Sequence, residues 1–201
     1  SGDAEFVRPV HWLLMLYGKD IVPARLLDTV SGRTTRGHRF HAPAPLSLAT
    51  PAKYLETLRT KGKVLADFAE RRDRVRTQVE AKAAELAAAA GQKPGAWHAL
   101  ISDALLDEVT ALVEWPVAVA GCFEDRFLAL PREVLISTLQ EHQRYFPVED
   151  AQHQLVPWFI TASNIESRDP QRVREGNERV VRPRLSDASF FFEQDRKQPL
   201  A

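Results

Sequence analysis

Arg179, Arg182 and Arg184 fall within six residues of one another, and Phe190-Phe191-Phe192 follow shortly after. A guanidinium is a planar donor that grips phosphate or carboxylate at two points, so this spacing offers a grip on a polyanion or an acidic partner. Three adjacent aromatics project about 100° apart on a helix and cannot all face one core. The string from Gly176 to Phe192 is therefore expected at a boundary, its rings packed inward and its guanidinium groups outward. Arg168, Arg172 and Arg174 extend the basic stretch. Asp169, Glu175 and Glu178 stand among them, so the same charges also read as a solvated face with local ion pairs.

A second constellation is Glu141-His142-Gln143-Arg144-Tyr145-Phe146-Pro147. In one reading it is a recognition surface, with Arg144 on a phosphate and Tyr145 stacked on a base. In the other it is a helix C-terminus whose cations offset the dipole, with Tyr145 and Phe146 in the core. Arg36, His38 and Arg39 form a third basic group. His38 and His41 would share a helix face, but Gly37, Pro43 and Pro45 argue against a helix there, so they read as loop histidines. Cys122 is the sole cysteine, which rules out an internal disulfide or a multi-cysteine zinc site and fits a reducing cytoplasm. It follows an apolar run and reads as a buried thiol rather than a nucleophile. The nine glycines form neither a P-loop nor a dinucleotide fingerprint. No catalytic residue and no metal ligand is expected.

The elements that must position these groups alternate in character. Lys and Arg total 27 and Asp and Glu total 27 in 201 residues, so any nucleic-acid contact must come from local clustering. No apolar run reaches the ~18 residues of a membrane-spanning helix, and no signal peptide is recognisable. The first residue is Ser1, and the chain is expected to be an excised piece of a longer protein, with Ser1-Gly2 a cloning remnant. Residues 6–46 read as extended, with strands expected over Val10–Tyr17 and Ile21–Val30, a third extended piece or a loop over Thr34–Phe40, and turns at Gly18–Asp20 and Ser31–Arg33.

Residues 51–113 read as helical. Pro51 suits a first helical position, Gly62 is a breaker, and Phe68, Val75, Val79, Ala83, Leu86 and Ala90 recur at helical spacing over Asp67–Ala90. Arg71, Arg72, Arg74 and Arg76 on that helix are expected to pair along it with Glu70, Asp73 and Glu80. Ser102 is expected to open a shorter helix to Leu112. Beyond residue 114 the pattern predicts a strand over Pro116–Gly121, a helix over Pro131–Gln140, a strand pair at Tyr145–Val148 and Trp158–Ser163, and a last helical region from Asp169-Pro170.

Several of these strings together resemble the beta subunit of the bacterial two-subunit glycyl-tRNA synthetase. They are Thr35 to Phe40, Asp67 to Arg72, Leu130 to Gln140, His142 to Pro147, Phe159 through Ile165, and above all Gly176 through Phe192. The resemblance implies an enzyme of two alpha and two beta subunits that joins glycine to its tRNA with ATP in the cytoplasm. The adenylate-forming core, with its ATP and Mg, belongs to the alpha subunit, and no cofactor is expected in this chain. Implied partners are the alpha subunit, tRNA(Gly) and a second beta subunit.

The resemblance also implies an α+β fold with a mixed or antiparallel sheet, similar to the editing-type domain of the phenylalanyl-tRNA synthetase beta subunit. Residues 1–50 and 114–201 would form its body and 51–113 a helical insertion or lobe, all within one fragment of a larger subunit. The expected role is noncatalytic tRNA binding and assembly, with Arg179, Arg182 and Arg184, then Arg144, His142 and Tyr145, then Arg36, His38 and Arg39 as contacts. The alternative is a scaffold that docks the alpha subunit or other beta domains without touching tRNA.

Overall fold

A computed structural model describes residues 10–197. The chain divides into two compact units, residues 1–68 and 69–201. Its class is α+β, with several small sheets and five α-helices among the described residues.

The first unit is built from short strands. β1 (Leu13–Leu14) runs parallel to β5 (Thr29–Gly32), and β4 (Arg25–Leu26) pairs antiparallel on the other side of β5. β2 (Leu16–Tyr17) and β3 (Asp20–Ile21) form a hairpin around Gly18, whose φ of 57° needs no Cβ penalty at glycine. β6 (Thr34–Arg36) pairs with β7 (Pro45–Ser47). Extended structure at Ser31–Gly32 replaces the expected turn, because the Ser31 N–H donates to Ala24 and Met15 N–H to Gly32. Helix α1 (Tyr54–Thr57) lies between a 3₁₀ turn at Pro51–Lys53 and a π turn at Leu58–Gly62. Gly37 passes so close to this end that a Cβ there would lie 2.5 Å from Gly62 Cα and from its carbonyl oxygen. The neighbouring His38 N–H donates to that carbonyl at 2.7 Å.

The second unit is a sheet with helices on both faces. Strand order is β8-β10-β11-β9, all antiparallel, with β8 at Trp97–Ala99, β9 at Val117–Cys122, β10 at Phe146–Asp150 and β11 at Leu155–Ser163. Alternation along the strands divides the core, as a period of two requires. Phe146, Val148 and Ile160 face Val75, Val79 and Ala83 of α2 (Phe68–Ala89) and Leu105, Leu106 and Val109 of α3 (Asp103–Leu112). Tyr145 and Phe159 lie in the opposite cluster, with Leu135 and Leu139 of α4 (Arg132–Gln143) and Val181 and Leu185 of α5 (Pro170–Asp195). Gly121 permits the second arrangement, since a Cβ there would meet the Phe159 ring at 2.4 Å.

Local signals explain the helix ends. Ser102 Oγ accepts the Leu105 N–H, the cap expected from the sequence. Arg72 and Arg76, expected to pair along their own helix, instead reach another one. Arg72 pairs with Asp107 and Asp103, and Arg76 with Asp103, so α2 and α3 are joined by charge above their apolar contact. Arg71 Nε donates to the Thr110 carbonyl, and Arg74 lies 4.2 Å from the Trp115 ring centroid. Strand β8, absent from the sequence reading, lies inside the stretch expected as purely helical.

Candidate nucleic-acid interface

Helix α5 is the element that carries the first arginine group. Asp169 caps it, with Oδ1 accepting the Arg172 N–H, and Pro170 supplies a first helical position that needs no donor. Its 26 residues extend about 39 Å at 1.5 Å per residue. Val181 and Leu185 are fully buried, and Ala188 and Phe192 pack beside them, which defines its inner stripe. Pro183 is exposed on the opposite side. It has no N–H for the Arg179 carbonyl, so the ladder loses one bond where water is available to replace it.

The phenylalanines do not all pack inward as expected. Phe192 packs beside the core, whereas Phe190 and Phe191 are 56% and 62% exposed, ring edge against ring face. Helical spacing explains this, because Phe192 shares the side of Val181 and Leu185 while the two rings before it are turned away.

The arginines of α5 divide by partner. Arg174 is half-buried, its Nε donating to Glu178 Oε1 at 2.8 Å and its guanidinium 5.0 Å from the Trp158 ring centroid. Arg172 pairs with Asp169 at 3.1 Å, and Arg182 with Glu124 at 2.6 Å. Arg179 and Arg184 are exposed and have no hydrogen-bond or ion-pair partner among the described residues. Periodicity sets Arg179 and Arg182 roughly 60° apart around the axis and Arg184 roughly 140° from Arg179. The three therefore flank the outer side of α5 rather than forming one tight cluster.

The second group is mostly committed to the fold. Arg144 ends α4 in the left-handed region at φ 59°, its Nε donating to Glu108 of α3 at 2.5 Å. Tyr145 is buried, its ring stacked on Phe159 at 4.7 Å between centroids and its hydroxyl donating to Asn177 of α5 at 2.9 Å. Burial raises its pKa. That ring is part of the core and offers no face to a base, which corrects the stacking role expected of it. His142 is exposed in the last turn of α4, where a cation offsets the helix dipole.

The third group belongs to the first unit. Arg36 and Arg39 are exposed, with Arg36 donating to the Pro43 carbonyl at 3.5 Å and Arg39 5.8 Å from the centroid of the exposed Phe40 ring. His38 is buried, and its Nδ1 accepts the N–H groups of Phe40 and His41 at 3.2 Å each. That ring holds a loop together and presents no donor at Nδ1, which corrects its expected role as a surface contact.

Two networks had no signal in the sequence reading. In one, Glu178 Oε1 accepts the Cys122 backbone N–H at 2.9 Å and its thiol at 3.3 Å while also holding Arg174. Burial pushes the Glu178 carboxyl up, but the hydrogen bonds from Arg174 and Cys122 outweigh it, so the group ends below the usual carboxylate range. Burial raises the Cys122 thiol, as expected of a structural cysteine. The other network surrounds Glu149 and joins His98, Arg132 and His153, of which His98 is brought close by strand pairing across 51 positions.

A cavity of about 550 Å³ lies beside β9, lined by Leu86, Val117, Val119, Ile165, Val173 and Arg174 among others. The hydroxyl on its wall, Ser167, accepts the Asp169 N–H, and no histidine is among its lining residues.

Together these features define an α+β protein whose candidate site is the cation-bearing outer side of a long helix. Comparison with known sequences gives the class its particular form. The family described as "Glycyl-tRNA synthetase beta subunit" matches residues 1–201. Relatives named "Glycine--tRNA ligase beta subunit" are 53% identical in Hahella chejuensis and 56% in Chromohalobacter salexigens, each over 197 residues. Another in Marinobacter nauticus is 54% identical over 196 residues. Each match takes in 98% of this chain and 27% of the relative, so the chain spans about a quarter of the length of those proteins. The chain belongs to the glycyl-tRNA synthetase beta subunit family.

Proposed function

We propose that this chain is a noncatalytic tRNA-binding and assembly region of a glycine–tRNA ligase beta subunit. In this reading the ligase glycylates tRNA(Gly) with ATP and Mg in the cytoplasm, its alpha subunit does the chemistry, and two alpha and two beta subunits assemble. The chain is one fragment of the larger subunit, and its α+β fold is related to the editing-type domain of the phenylalanyl-tRNA synthetase beta subunit.

The observation that supports tRNA contact most directly is the exposure of Arg179 and Arg184 without a carboxylate partner among the described residues. A guanidinium that the fold leaves unneutralised is available to phosphate at no cost in broken ion pairs. Arg182 and His142 are exposed on the same unit, and Arg36 and Arg39 are exposed on the first unit. Glycine is the smallest amino acid, so a sieve for smaller intruders has nothing to remove, and a larger competitor is rejected sterically. Incubation with mischarged alanyl-tRNA is expected to show deacylation at the buffer rate, and faster deacylation would refute that part.

A second reading rests on a separate observation. Val180, Phe190 and Phe191 are exposed on the outer side of the same helix, at 50%, 56% and 62%. A scaffold docked to the alpha subunit or to other beta domains would cover such residues. Gel shift separates the two readings: tRNA retarded by the chain at physiological salt supports the first. Capture of the alpha subunit without any tRNA shift supports the second.

A further inference from the structure

The Glu149 carboxylate is buried on β10, its side chain only 3% exposed, yet two exposed imidazoles converge on one of its oxygens. His98 Nε2 lies 2.7 Å from Oε1 and His153 Nδ1 lies 2.9 Å from the same atom. Arg132, at the start of α4, donates to the other oxygen, Oε2, at 2.5 Å. The histidine nitrogens and the carboxylate oxygen all lie within 4.8 Å of one another.

The three groups come from positions the fold fixes separately. His98 stands directly opposite Glu149 in the β8–β10 pairing. His153 sits in the β10–β11 turn at φ 60°, a turn in which Asp150 Oδ1 accepts the N–H groups of Gln152 and Gln154. Arg132 already neutralises Glu149, so the two imidazoles are not needed for charge compensation.

We propose that His98 Nε2, His153 Nδ1 and Glu149 Oε1 form a binding site for a divalent transition-metal ion of the zinc type. Two imidazoles and one carboxylate suit Zn²⁺ or Co²⁺ rather than Mg²⁺ or Ca²⁺, which prefer all-oxygen shells. Metal–ligand bonds of about 2.0–2.2 Å require the donor atoms to spread by some tenths of an ångström from their hydrogen-bonded separations. Both imidazoles are at the surface and have room to do so. The Arg132–Oε2 contact fits a partner that fixes the carboxylate so that its other oxygen meets the ion. Each neutral imidazole that donates to Oε1 in the metal-free protein moves its proton to its other ring nitrogen and offers the freed lone pair. No proton is released. Remaining coordination positions face water. The ion would tie the β10–β11 turn to β8, independently of any tRNA contact.

The test is a Co²⁺ titration of the chelator-treated, tag-free chain, followed by visible absorption, with Zn²⁺ competition and thermal melting alongside. The expected result is one Co²⁺ per chain with a saturable ligand-field band that Zn²⁺ abolishes, and a melting temperature raised by Zn²⁺. His98→Gln and His153→Gln are each expected to weaken binding at least about tenfold, by the scale of losses at metal sites. His153 is an exposed turn residue, so its variant remains decisive if His98→Gln fails to fold. A chain without a saturable band, or a His153→Gln variant that binds Co²⁺ as tightly as the parent, overturns the proposal.

Discussion

Gln78 of α2 pairs with the edge strand β9 as another strand would. Its Oε1 accepts the Ala118 N–H at 2.8 Å and its Nε2 donates to the Pro116 carbonyl at 3.1 Å. At the far end of β9, Glu178 accepts the Cys122 N–H. An unprotected edge is a template for another chain, and here two helices supply side chains that occupy it. Replacing Gln78 with Leu removes both partners and leaves a backbone donor and acceptor unpaired. A loss of about 1–2 kcal/mol in unfolding free energy is expected by denaturant titration. Gln78→Glu, which keeps only the acceptor, is expected to lose less.

Two glycines are fixed by close approach. A methyl at Gly37 would meet the Gly62 backbone at 2.5 Å, and one at Gly121 would meet the Phe159 ring at 2.4 Å. Backbone cannot yield as a side chain can. Each Gly→Ala change is expected to cost about 1–3 kcal/mol, with Gly37→Ala at the upper end. Thermal melting of both variants checks the ranking, and a neutral Gly37→Ala would contradict it.

The depressed Glu178 carboxyl makes a prediction with a definite sign. A carboxyl with a lower pKa folded than unfolded stabilises the fold above the unfolded value of about 4.3. That contribution shrinks as pH falls below this value and is gone once the folded group has protonated. The stability gap between parent and Glu178→Gln is therefore expected to be largest near neutral pH and to narrow on acidification below about pH 4.3. Urea unfolding at several pH values measures it. A gap that widens on acidification would mean that burial outweighs the hydrogen bonds from Arg174 and Cys122.

Patterns that a segment carries by itself were legible in the sequence. The Val75–Val79–Ala83 spacing, the Ser102 cap, the Pro170 start and the β10–β11 pair all appear in the structure near their expected limits. Strand β8 was not, because three residues between Gly95 and Ser102 are extended only through pairing with β10. The ion pairs of Arg72 and Arg76 were misread for the same reason, since their carboxylates lie about 30 positions away on α3. The surface arginines of α5 were visible as a type of residue. Arg172 and Arg174 pair with Asp169 and Glu178 of their own segment, as the sequence allows, whereas the pairing of Arg182 depends on Glu124, which only the packed helix brings within reach. Tyr145 lies in the core, one of the two readings its sequence allowed, whereas the burial of His38 between exposed arginines was not legible.

The salt dependence of tRNA(Gly) binding tests the proposed function most directly. Each phosphate contact contributes roughly 0.7–0.9 to the slope of log affinity against log salt concentration. Arg179→Gln and Arg184→Gln are each expected to lower that slope by about this amount, and the double variant by about twice as much. Arg182→Gln should lower it less, because that guanidinium must first leave Glu124. A double variant that binds tRNA with the parent's slope would contradict the assignment of these two arginines to phosphate.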